Sequence, residues 1–307
     1  MLNSVQHLTK SRTYETLEQV QGDKLRLFTR PSCFAFREMA SRLFLAYNGR
    51  RRGRLMGRDT QEKYFPVREM TDGERIRTVK EIFSTVTGKY DFLNHLLSLR
   101  RDIAWRRFAV RKMRFFKTQR FLDVATGTAD LAVEACRRYP FLQVTGLDFI
   151  QAMLDVGLKK AAEKGLSNRI RFLRGDALVL PFPDRYFDVA AVAFGIRNIP
   201  DRLGALREMR RVVVPGGQVM VLEMTFPRNR IFDGFYHFYL HHILPNIARA
   251  FSKNPAAYQY LADSIMNFPS PEAFAGQMEE AGLIHVKRHR LDFGITYLHV
   301  GIKPQKA

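Results

Sequence analysis

The chain of 307 residues has little cysteine and a single tryptophan, and none of its apolar runs is long enough to cross a membrane. Its two cysteines, Cys33 and Cys136, are far apart and fit no metal-ligand spacing. The sequence therefore predicts no disulfide framework and indicates a reducing compartment. The fingerprint G-x-G-x-x-G of dinucleotide-binding folds is missing from the small-residue turn at 125–129. Because 46% of the residues are hydrophobic, the chain can still bury a sizeable core.

Acidic residues are outnumbered by basic ones near the N-terminus, where most of the net charge of +20 lies: residues 1–69 carry a net +7 and residues 70–120 a net +8. Such asymmetry is compatible with nucleic acid, with an anionic membrane surface and with targeting. Residues 1–69 show no sustained period and contain an arginine cluster at 50–58. We predict a disordered basic extension over 1–69 and one folded domain over 70–307. The extension is interpreted as a translated leader before Met70, a transit peptide or a functional arm.

From Asp72 onward the sequence alternates between helical and extended patterns. Apolar residues recur at helical spacing to about residue 97, and a further helix begins near Asp102. Strands are predicted near 120–125, 143–148, 170–174, 187–193, 217–223, 284–291 and 295–302, with helices near 129–138, 150–164, 201–213 and 271–281. The alternation predicts an α/β fold with a doubly wound, seven-stranded sheet. The short turn at Phe293 and Gly294 makes the last two strands antiparallel, and an aromatic-rich helical insertion is expected at 228–268.

The turn after the first strand carries the strongest ligand signal. In FLDVATGTADLA, an apolar strand containing Asp123 leads through small residues around Gly127 into a helix. Gly127 lets the backbone approach a ligand, and Asp148, at the end of the next strand, can accept both hydroxyls of a ribose. The arrangement matches the E/D-x-G-x-G-x-G pattern of S-adenosylmethionine (SAM) methyltransferases, although Ala125 and Ala129 replace two glycines. A strand–helix–strand unit whose small residues only allow close packing is the alternative.

Two further strand ends extend this pattern. Asp176 and Ala177 follow the third strand, where an acid commonly reaches the adenine amino group and an apolar residue packs on the ring. Together with the turn, they favour a Rossmann-like class I SAM methyltransferase fold. Arg197 and Asn198 follow the fourth strand in FGIRN and are expected to point into the ligand crevice. A salt bridge to a neighbouring acid is the alternative for Arg197.

Several longer segments resemble the ubiquinone/menaquinone biosynthesis C-methyltransferase family. They are KYDFLNHLLS, LDVATGTADL, PFPD, FGIRN, VVPGG, HILP, YQYLADSI and LHVGIKP, and they cover about residues 74–304. The resemblance implies methyl transfer from SAM to a ring carbon of a polyprenylated quinol. That reaction is demethylmenaquinol to menaquinol, with the benzoquinol precursor of ubiquinone as a second acceptor. The resemblance also implies cofactor contacts at Thr128, Asp148, Asp176, Ala177 and Ala193. The family often has serine where Ala193 stands, so no side-chain hydrogen bond is expected there.

Catalytic roles follow from the implied reaction. An aromatic carbon attacks the sulfonium methyl only when the ring is electron-rich, so a quinol hydroxyl must lose or share its proton. Arg197 is expected to stabilise the phenolate and Asn198 to orient it. The general base is then His242, Tyr260 or a water held by Arg197. His299 is a further candidate, although a lone histidine is more often structural. Displacement on a sulfonium needs no metal, and none is expected.

The polyprenyl tail of such an acceptor implies a membrane partner. We predict that the chain lies on the membrane surface, with Trp105, Phe108, Phe115 and Phe116 as contacts. A packed helical cap is the alternative. The expected location is cytoplasmic, at the inner face of a bacterial membrane. It becomes the matrix side of the mitochondrial inner membrane if residues 1–69 are a transit peptide. No nucleic-acid partner is expected, and a homodimer is left open.

Two rival functions belong to other classes. An RNA methyltransferase would fit the basic charge, but no N-P-P-Y-type motif follows the fourth strand and no cysteine nucleophile lies near the site. A non-catalytic lipid-binding member of a quinone-synthesis assembly would fit the apolar substrate class. The intact turn and FGIRN argue against such a loss of activity.

Overall fold

The computed structural model describes residues 67–86, 90–225 and 256–305. All of these residues fall in one unit of the chain, Gln61–Ala307. None of the helices in these ranges is long and apolar enough to cross a membrane. Residues 1–66 of the predicted extension and most of the predicted insertion, 228–255, lie outside the described residues. The division into 1–69 and 70–307 therefore stays a prediction.

Helices and strands alternate along the described residues much as the sequence predicts. The helices are α1 (Asp72–Val86), α2 (Tyr90–Leu97), α3 (Arg101–Lys112), α4 (Asp130–Arg138), α5 (Gln151–Glu163), α6 (Arg202–Val212), α7 (Ala256–Met266) and α8 (Pro271–Glu280). The strands are β1 (Arg120–Val124), β2 (Gln143–Asp148), β3 (Ile170–Arg174), β4 (Phe187–Ala193), β5 (Val213–Met224), β6 (Ile284–Leu291) and β7 (Thr296–Ile302). Asp201 and Ser270 begin α6 and α8 because their side chains accept hydrogen bonds from backbone N–H groups of the first turn.

The strands form one sheet in the order β3-β2-β1-β4-β5-β7-β6. β1 to β5 run parallel, and β7 is antiparallel to both of its neighbours, β5 and β6. The predicted doubly wound sheet with an antiparallel last strand is therefore confirmed. The prediction that β5 begins near residue 217 is wrong, because the strand begins at Val213 and residues 215–217 form an irregular part of it. Val213 pairs with Phe187 and Gln218 with Val189, so β5 carries extra residues between two pairs.

Alternating side chains on each strand supply the two faces of the sheet. Phe121 and Val189 belong to a core with α3 and α4, whereas Leu122 and Ala190 belong to a second core with α6 and α8. Burial on both faces explains why these strands are almost continuously apolar. The order of the strands reverses between β1 and β4, and ligands of open α/β sheets bind at the carboxyl ends of the strands beside such a reversal.

The N-terminal helices pack on the sheet as a cap. The Trp105 side chain is buried, and its Nε1–H donates to Asp292 Oδ2 at 2.6 Å. Phe108 and Phe115 are partly buried against the core, and of the four predicted membrane contacts only Phe116 is exposed. The predicted contact surface is therefore wrong for Trp105, because its indole packs in the core. Helix α1 packs against α7 in a smaller apolar cluster.

Candidate active site

A cleft of about 1140 Å³, counted with its open mouth, lies at the carboxyl ends of β1, β2 and β4. Side chains of α1 form one of its walls. All seven residues predicted to bind the cofactor line it: Asp123, Gly127, Thr128, Asp148, Asp176, Ala177 and Ala193. Asn198 lines the same cleft. The structure therefore brings the predicted cofactor residues together, while their individual contacts with a cofactor stay predictions.

The turn between β1 and α4 is left-handed at three alternate positions. Ala125, Gly127 and Ala129 have φ angles of 51°, 54° and 67°. Glycine adopts this region freely, whereas each alanine is strained by about 1 kcal/mol. The Thr126 hydroxyl donates to Asp123 Oδ2 at 2.7 Å and holds the turn on β1. A Cβ placed on Gly127 would meet no atom within 4 Å, so its backbone faces open space where a ligand fits.

Asp148 ends β2 at the floor of the cleft. Its Oδ2 accepts the Gly127 N–H at 2.8 Å, and its Oδ1 accepts the Ile150 N–H at 2.9 Å. Burial raises the pKa of Asp148 above its ordinary value, and the hydrogen bonds from backbone N–H groups oppose that rise. Each carboxylate oxygen has a second lone pair, so each can accept one more hydrogen bond. The accepting carboxylate oxygens and the open turn therefore fit the ribose of a SAM molecule, whose hydroxyl groups donate.

Asp123 lies deeper than Asp148 and braces the turn. Its Oδ2 accepts hydrogen bonds from the Thr126 hydroxyl at 2.7 Å and from the Ala132 N–H at 3.2 Å. Burial raises the pKa of Asp123 to about 7, although these two hydrogen bonds and the charge of Arg106 act in the opposite direction. The visible contacts of Asp123 thus order the turn and the start of α4.

The loops after β3 and β4 supply the remaining predicted cofactor residues. Asp176 Oδ1 accepts the Leu178 N–H at 2.9 Å, which turns the loop back on itself. Ala177 is buried, and Ala193 ends β4 at the edge of the cleft. Ala177 follows the Asp176 carboxylate directly, and a methyl group next to a carboxylate suits an adenine ring, whose faces are apolar and whose amino group is a donor.

A contact between α2 and the cofactor turn, the turn at 125–129 between β1 and α4, is absent from the sequence predictions. The Thr128 hydroxyl donates to Asp91 Oδ1 at 2.5 Å, and the other oxygen of Asp91 accepts from Lys160 Nζ at 2.5 Å. Lys160 Nζ also lies 2.7 Å from Asp130 Oδ1. The KYD segment contains Asp91, but no local pattern indicates its partner, because 37 residues separate it from Thr128. The predicted cofactor residue Thr128 is therefore shared with the N-terminal cap.

Three potential metal ligands lie beside this contact. One ligand atom each from His95, Asp102 and Asp130 lies within 4.8 Å of the others. Both carboxylates are already in ion pairs, Asp102 with Arg106 at 2.5 Å and Asp130 with Lys160 at 2.7 Å. The group is thus a network of alternating charges that joins α2 to α5, and the expectation of no metal stays a prediction.

Arg197 is buried in the loop after β4 and does not line the cleft. Its guanidinium forms a salt bridge with Glu223 of β5, and its backbone N–H donates to Glu223 Oε2 at 3.3 Å. The expectation that Arg197 points into the crevice is therefore not met, and the alternative of a salt bridge is the one that the structure shows. The pair fixes the FGIRN loop on β5, and a catalytic role for Arg197 stays a prediction.

Asn198 and Tyr260 meet at the wall of the cleft. Asn198 Oδ1 accepts a hydrogen bond from the Tyr260 hydroxyl at 3.2 Å. Burial raises the pKa of Tyr260 above its ordinary value and outweighs the nearby positive charges of Arg75 and Arg197. A tyrosine that stays neutral can orient the amide of Asn198 but is poorly suited as a general base. His242, the other candidate base, lies outside the described residues.

His299 is a structural residue, so its interpretation as a base is wrong. The ring is fully buried in β7, and its Nε2 lies 3.0 Å from the carbonyl oxygen of Pro271, to which it donates. It also packs edge-on against Phe274 with 5.0 Å between ring centroids. Burial lowers the pKa of His299 to about 4, which keeps the ring neutral.

Arg75 of α1 also reaches this loop, although no sequence pattern singles it out. Its guanidinium donates to the backbone carbonyl of Arg197, 122 residues away. Its Nε is buried and has no hydrogen-bond partner among the described residues. The residue next to it, Ile76, lines the cleft. Helix α1 is therefore attached to the FGIRN loop through a side chain that sequence reasoning overlooks.

Comparison with known proteins identifies the family to which this fold and cleft belong. The model of the ubiE/COQ5 methyltransferase family matches residues 70–303. The chain belongs to this family. The "Ubiquinone/menaquinone biosynthesis C-methyltransferase UbiE" of Geotalea daltonii is 42% identical over 231 residues, which are 75% of this chain and 98% of that protein. The "Demethylmenaquinone methyltransferase" of Deinococcus radiodurans is 41% identical over 244 residues, which are 80% and 99% of the two chains.

A solved structure supports the fold. Phosphoethanolamine N-methyltransferase 2 of Haemonchus contortus, in complex with phosphomonomethylethanolamine and S-adenosylhomocysteine, aligns with a TM-score of 0.54. The alignment covers 78% of this chain and 61% of that chain at 15% identity, so it shows the fold alone. This ubiE/COQ5 family member is a SAM-dependent methyltransferase, which confirms the prediction from its cofactor turn.

Proposed function

We propose that this methyltransferase transfers the methyl group of SAM to a ring carbon of a polyprenylated quinol, with demethylmenaquinol as its preferred acceptor. The observation that carries the proposal is the shared cleft, in which Asp148 and the cofactor turn face the same space as Asn198. SAM supplies an electrophilic methyl group. The acceptor class is supported by the names of the relatives, which refer to ubiquinone, menaquinone and demethylmenaquinone.

The acceptor side of the cleft has the composition that a quinol ring requires. Its apolar surface comes from Ile76, Val79 and Phe83 of α1 and from Ile199 beside Asn198. A quinol is flat and apolar apart from its hydroxyl groups, so apolar walls with one polar group suit it. Asn198 Oδ1 is occupied by Tyr260, which leaves its amide N–H groups to donate to an acceptor oxygen.

The residues of the cleft act mainly by positioning. Asp148 and the turn hold the methyl donor, while Asn198 and the apolar wall hold the ring, so the attacking carbon and the methyl group are aligned. Tyr260 stays protonated because burial raises its pKa. We therefore propose His242 or a bound water as the group that takes the hydroxyl proton, and Arg197 as the residue that fixes the loop through Glu223.

A polyprenyl tail would keep the acceptor in a lipid bilayer. We therefore propose that the enzyme collects it at the inner face of a bacterial membrane. The net charge of +20 supports this location, because anionic lipid headgroups attract a basic protein surface. The matrix side of the mitochondrial inner membrane is the alternative if residues 1–69 act as a transit peptide.

Transfer of a labelled methyl group from SAM tests the proposal. Demethylmenaquinol and the demethylated benzoquinol, each with a short prenyl tail, would be offered to the chain from Met1 and to a version from Met70. We expect label on the naphthoquinol ring carbon with both versions. Label on the benzoquinol alone would show that the benzoquinol, and not demethylmenaquinol, is the acceptor. Label on RNA alone would support the rival function as an RNA methyltransferase. SAM binding without transfer to either quinol would contradict the proposal.

A further inference from the structure

Three arginines meet beside the acceptor wall, the side of the cleft formed by Ile76, Val79, Phe83, Asn198 and Ile199. Their positive charge is only partly balanced. They are Arg75 in α1, Arg197 in the FGIRN loop and Arg202 at the start of α6. Arg75 donates to the carbonyl of Arg197. Burial and, after it, the charge of Arg75 lower the pKa of Arg202. Neighbouring positive charges destabilise each other unless an anion lies between or beside them.

Of these three arginines, only Arg197 forms a salt bridge with a carboxylate in the described part of the chain. Glu223 forms a buried salt bridge with Arg197, so the two charges cancel. By contrast, the Nε atoms of Arg75 and Arg202 are buried and have no hydrogen-bond acceptor in the described part of the chain. A buried donor without an acceptor is costly and rare in native proteins. The remaining positive charge therefore lies at Arg75 and Arg202.

Arg75 is the one of these two that acts on the acceptor wall. Its neighbour Ile76 lines the cleft, and its guanidinium contacts the carbonyl group that directly precedes Asn198. Its charge also lowers the pKa of Tyr260, whose hydroxyl donates to Asn198. The electrostatic field of Arg75 thus falls on the groups that would contact the acceptor.

We propose that Arg75 is a positioning residue that stabilises the ionised hydroxyl of the acceptor quinol. This inference rests on the proposed function, and it transfers to Arg75 the electrostatic role expected for Arg197. A nearby positive charge favours the ionised form of a phenol and lowers its pKa. The hydroxyl proton leaves to a base or to water, and the ring then donates an electron pair from the carbon that is methylated. That pair forms the new carbon–carbon bond, the pair of the broken carbon–sulfur bond stays on sulfur, and the ring carbon releases its hydrogen as a proton.

The groups around Arg75 decide what a pH profile reports. Tyr260 stays protonated because burial raises its pKa, and Arg197 and Arg202 stay charged in the range where enzymes are assayed. The charged and titratable groups next to Arg75 come from the FGIRN loop, α6 and α7: Arg197, Arg202 and Tyr260. Behind them, Glu223 of β5 pairs with Arg197, and Asp263 of α7 acts on Tyr260. A pH limb that responds to Arg75 therefore reports the acceptor hydroxyl or its base.

The test compares Arg75→Gln and Arg75→Lys with Arg77→Gln, which removes the same charge from an exposed position of α1. Single-turnover methyl transfer would be measured against pH, with SAM affinity by calorimetry and unfolding by heat. We expect Arg75→Gln to slow methyl transfer roughly 100-fold. The acidic limb of the pH–rate profile, where the rate rises with pH, should move upward by about one pH unit. SAM affinity should not change. Arg75→Lys should keep the limb and recover most of the rate, and Arg77→Gln should match the wild type.

The outcomes separate this inference from the proposed function. A wild type that binds SAM but methylates neither quinol refutes the proposed function. If the wild type turns over, an unshifted limb in Arg75→Gln overturns the role of Arg75, whatever the rate. If Arg75→Gln does not fold, Arg75→Met is the second neutral variant: an acidic limb shifted upward supports the inference, and a limb at the wild-type position overturns it.

Discussion

Replacing Asp148 by asparagine separates the two roles of this side chain, which holds the turn and faces the cofactor space. Asparagine keeps one acceptor oxygen but places an NH₂ group against a backbone N–H, at a cost of about 1–3 kcal/mol. It also removes a buried charge, whose unfavourable desolvation raises the pKa of Asp148. These two effects oppose each other, so we expect the free energy of unfolding to change by less than about 2 kcal/mol.

Cofactor affinity should respond far more strongly than stability. Two ribose hydroxyls that donate to a carboxylate contribute about 1.5–3 kcal/mol each, and asparagine weakens one and loses the other. A net loss of about 3 kcal/mol is roughly a 100-fold rise in Kd. Calorimetric titration with SAM measures it, and Asp148→Ala should abolish detectable binding. Asp155→Asn is the matched control, because Asp155 lies exposed on α5. Affinity within threefold of the wild type would refute a ribose contact at Asp148.

Three further variants test the turn, the buried salt bridge and the cap. Burial raises the pKa of Asp123 from 3.8 to about 7. The contribution of Asp123 to stability is therefore present at low pH and lost as the pH rises through 7. The difference in unfolding free energy between the wild type and Asp123→Asn should fall from pH 4 to pH 8. A difference that stays constant over this range would contradict the raised pKa. Arg197→Ala leaves the buried charge of Glu223 without its partner and should lower the unfolding free energy by about 3–5 kcal/mol. Adding Glu223→Gln should restore most of this loss. If the losses of the two single variants simply add in denaturant titrations, the salt bridge does not stabilise the fold. Asp91→Ala releases α2 from Thr128 and should speed amide hydrogen exchange at 90–97 about tenfold, whereas unchanged exchange would show that this contact does not hold the helix.

The sheet and the cofactor turn are predictable from sequence because their signals are local. A buried parallel strand is a short apolar run, and a turn that needs left-handed backbone shows small residues, as around Gly127. The start of β5 is missed because Gly216 and Gly217 are typical of a turn. Only their backbone hydrogen bonds with Lys303, the residue after β7, show that the strand continues through them.

The acceptor side is less predictable because its contacts join distant segments. FGIRN places Arg197 at the carboxyl end of β4, but the direction of its side chain depends on Glu223, which is 26 residues away on a neighbouring strand. Likewise, Arg75 of α1 reaches the same loop across 122 residues of sequence, so its contact depends on how α1 packs in the fold. Spacing along a sequence does not encode which of two possible partners a long side chain finds.

The methyl group of Ala125, in the strained turn after β1, also limits the loop after β4. A Cβ placed on Gly195 would lie 2.8 Å from the Cβ of Ala125 and 3.1 Å from a methyl group of Val192, closer than carbon atoms pack. The space between the two loops thus holds one methyl group and not two. A lineage that gains a side chain at 195 must first have lost the one at 125. We therefore expect residue 125, in the segment that binds the methyl donor, and residue 195, in the segment that faces the acceptor, to change together in evolution.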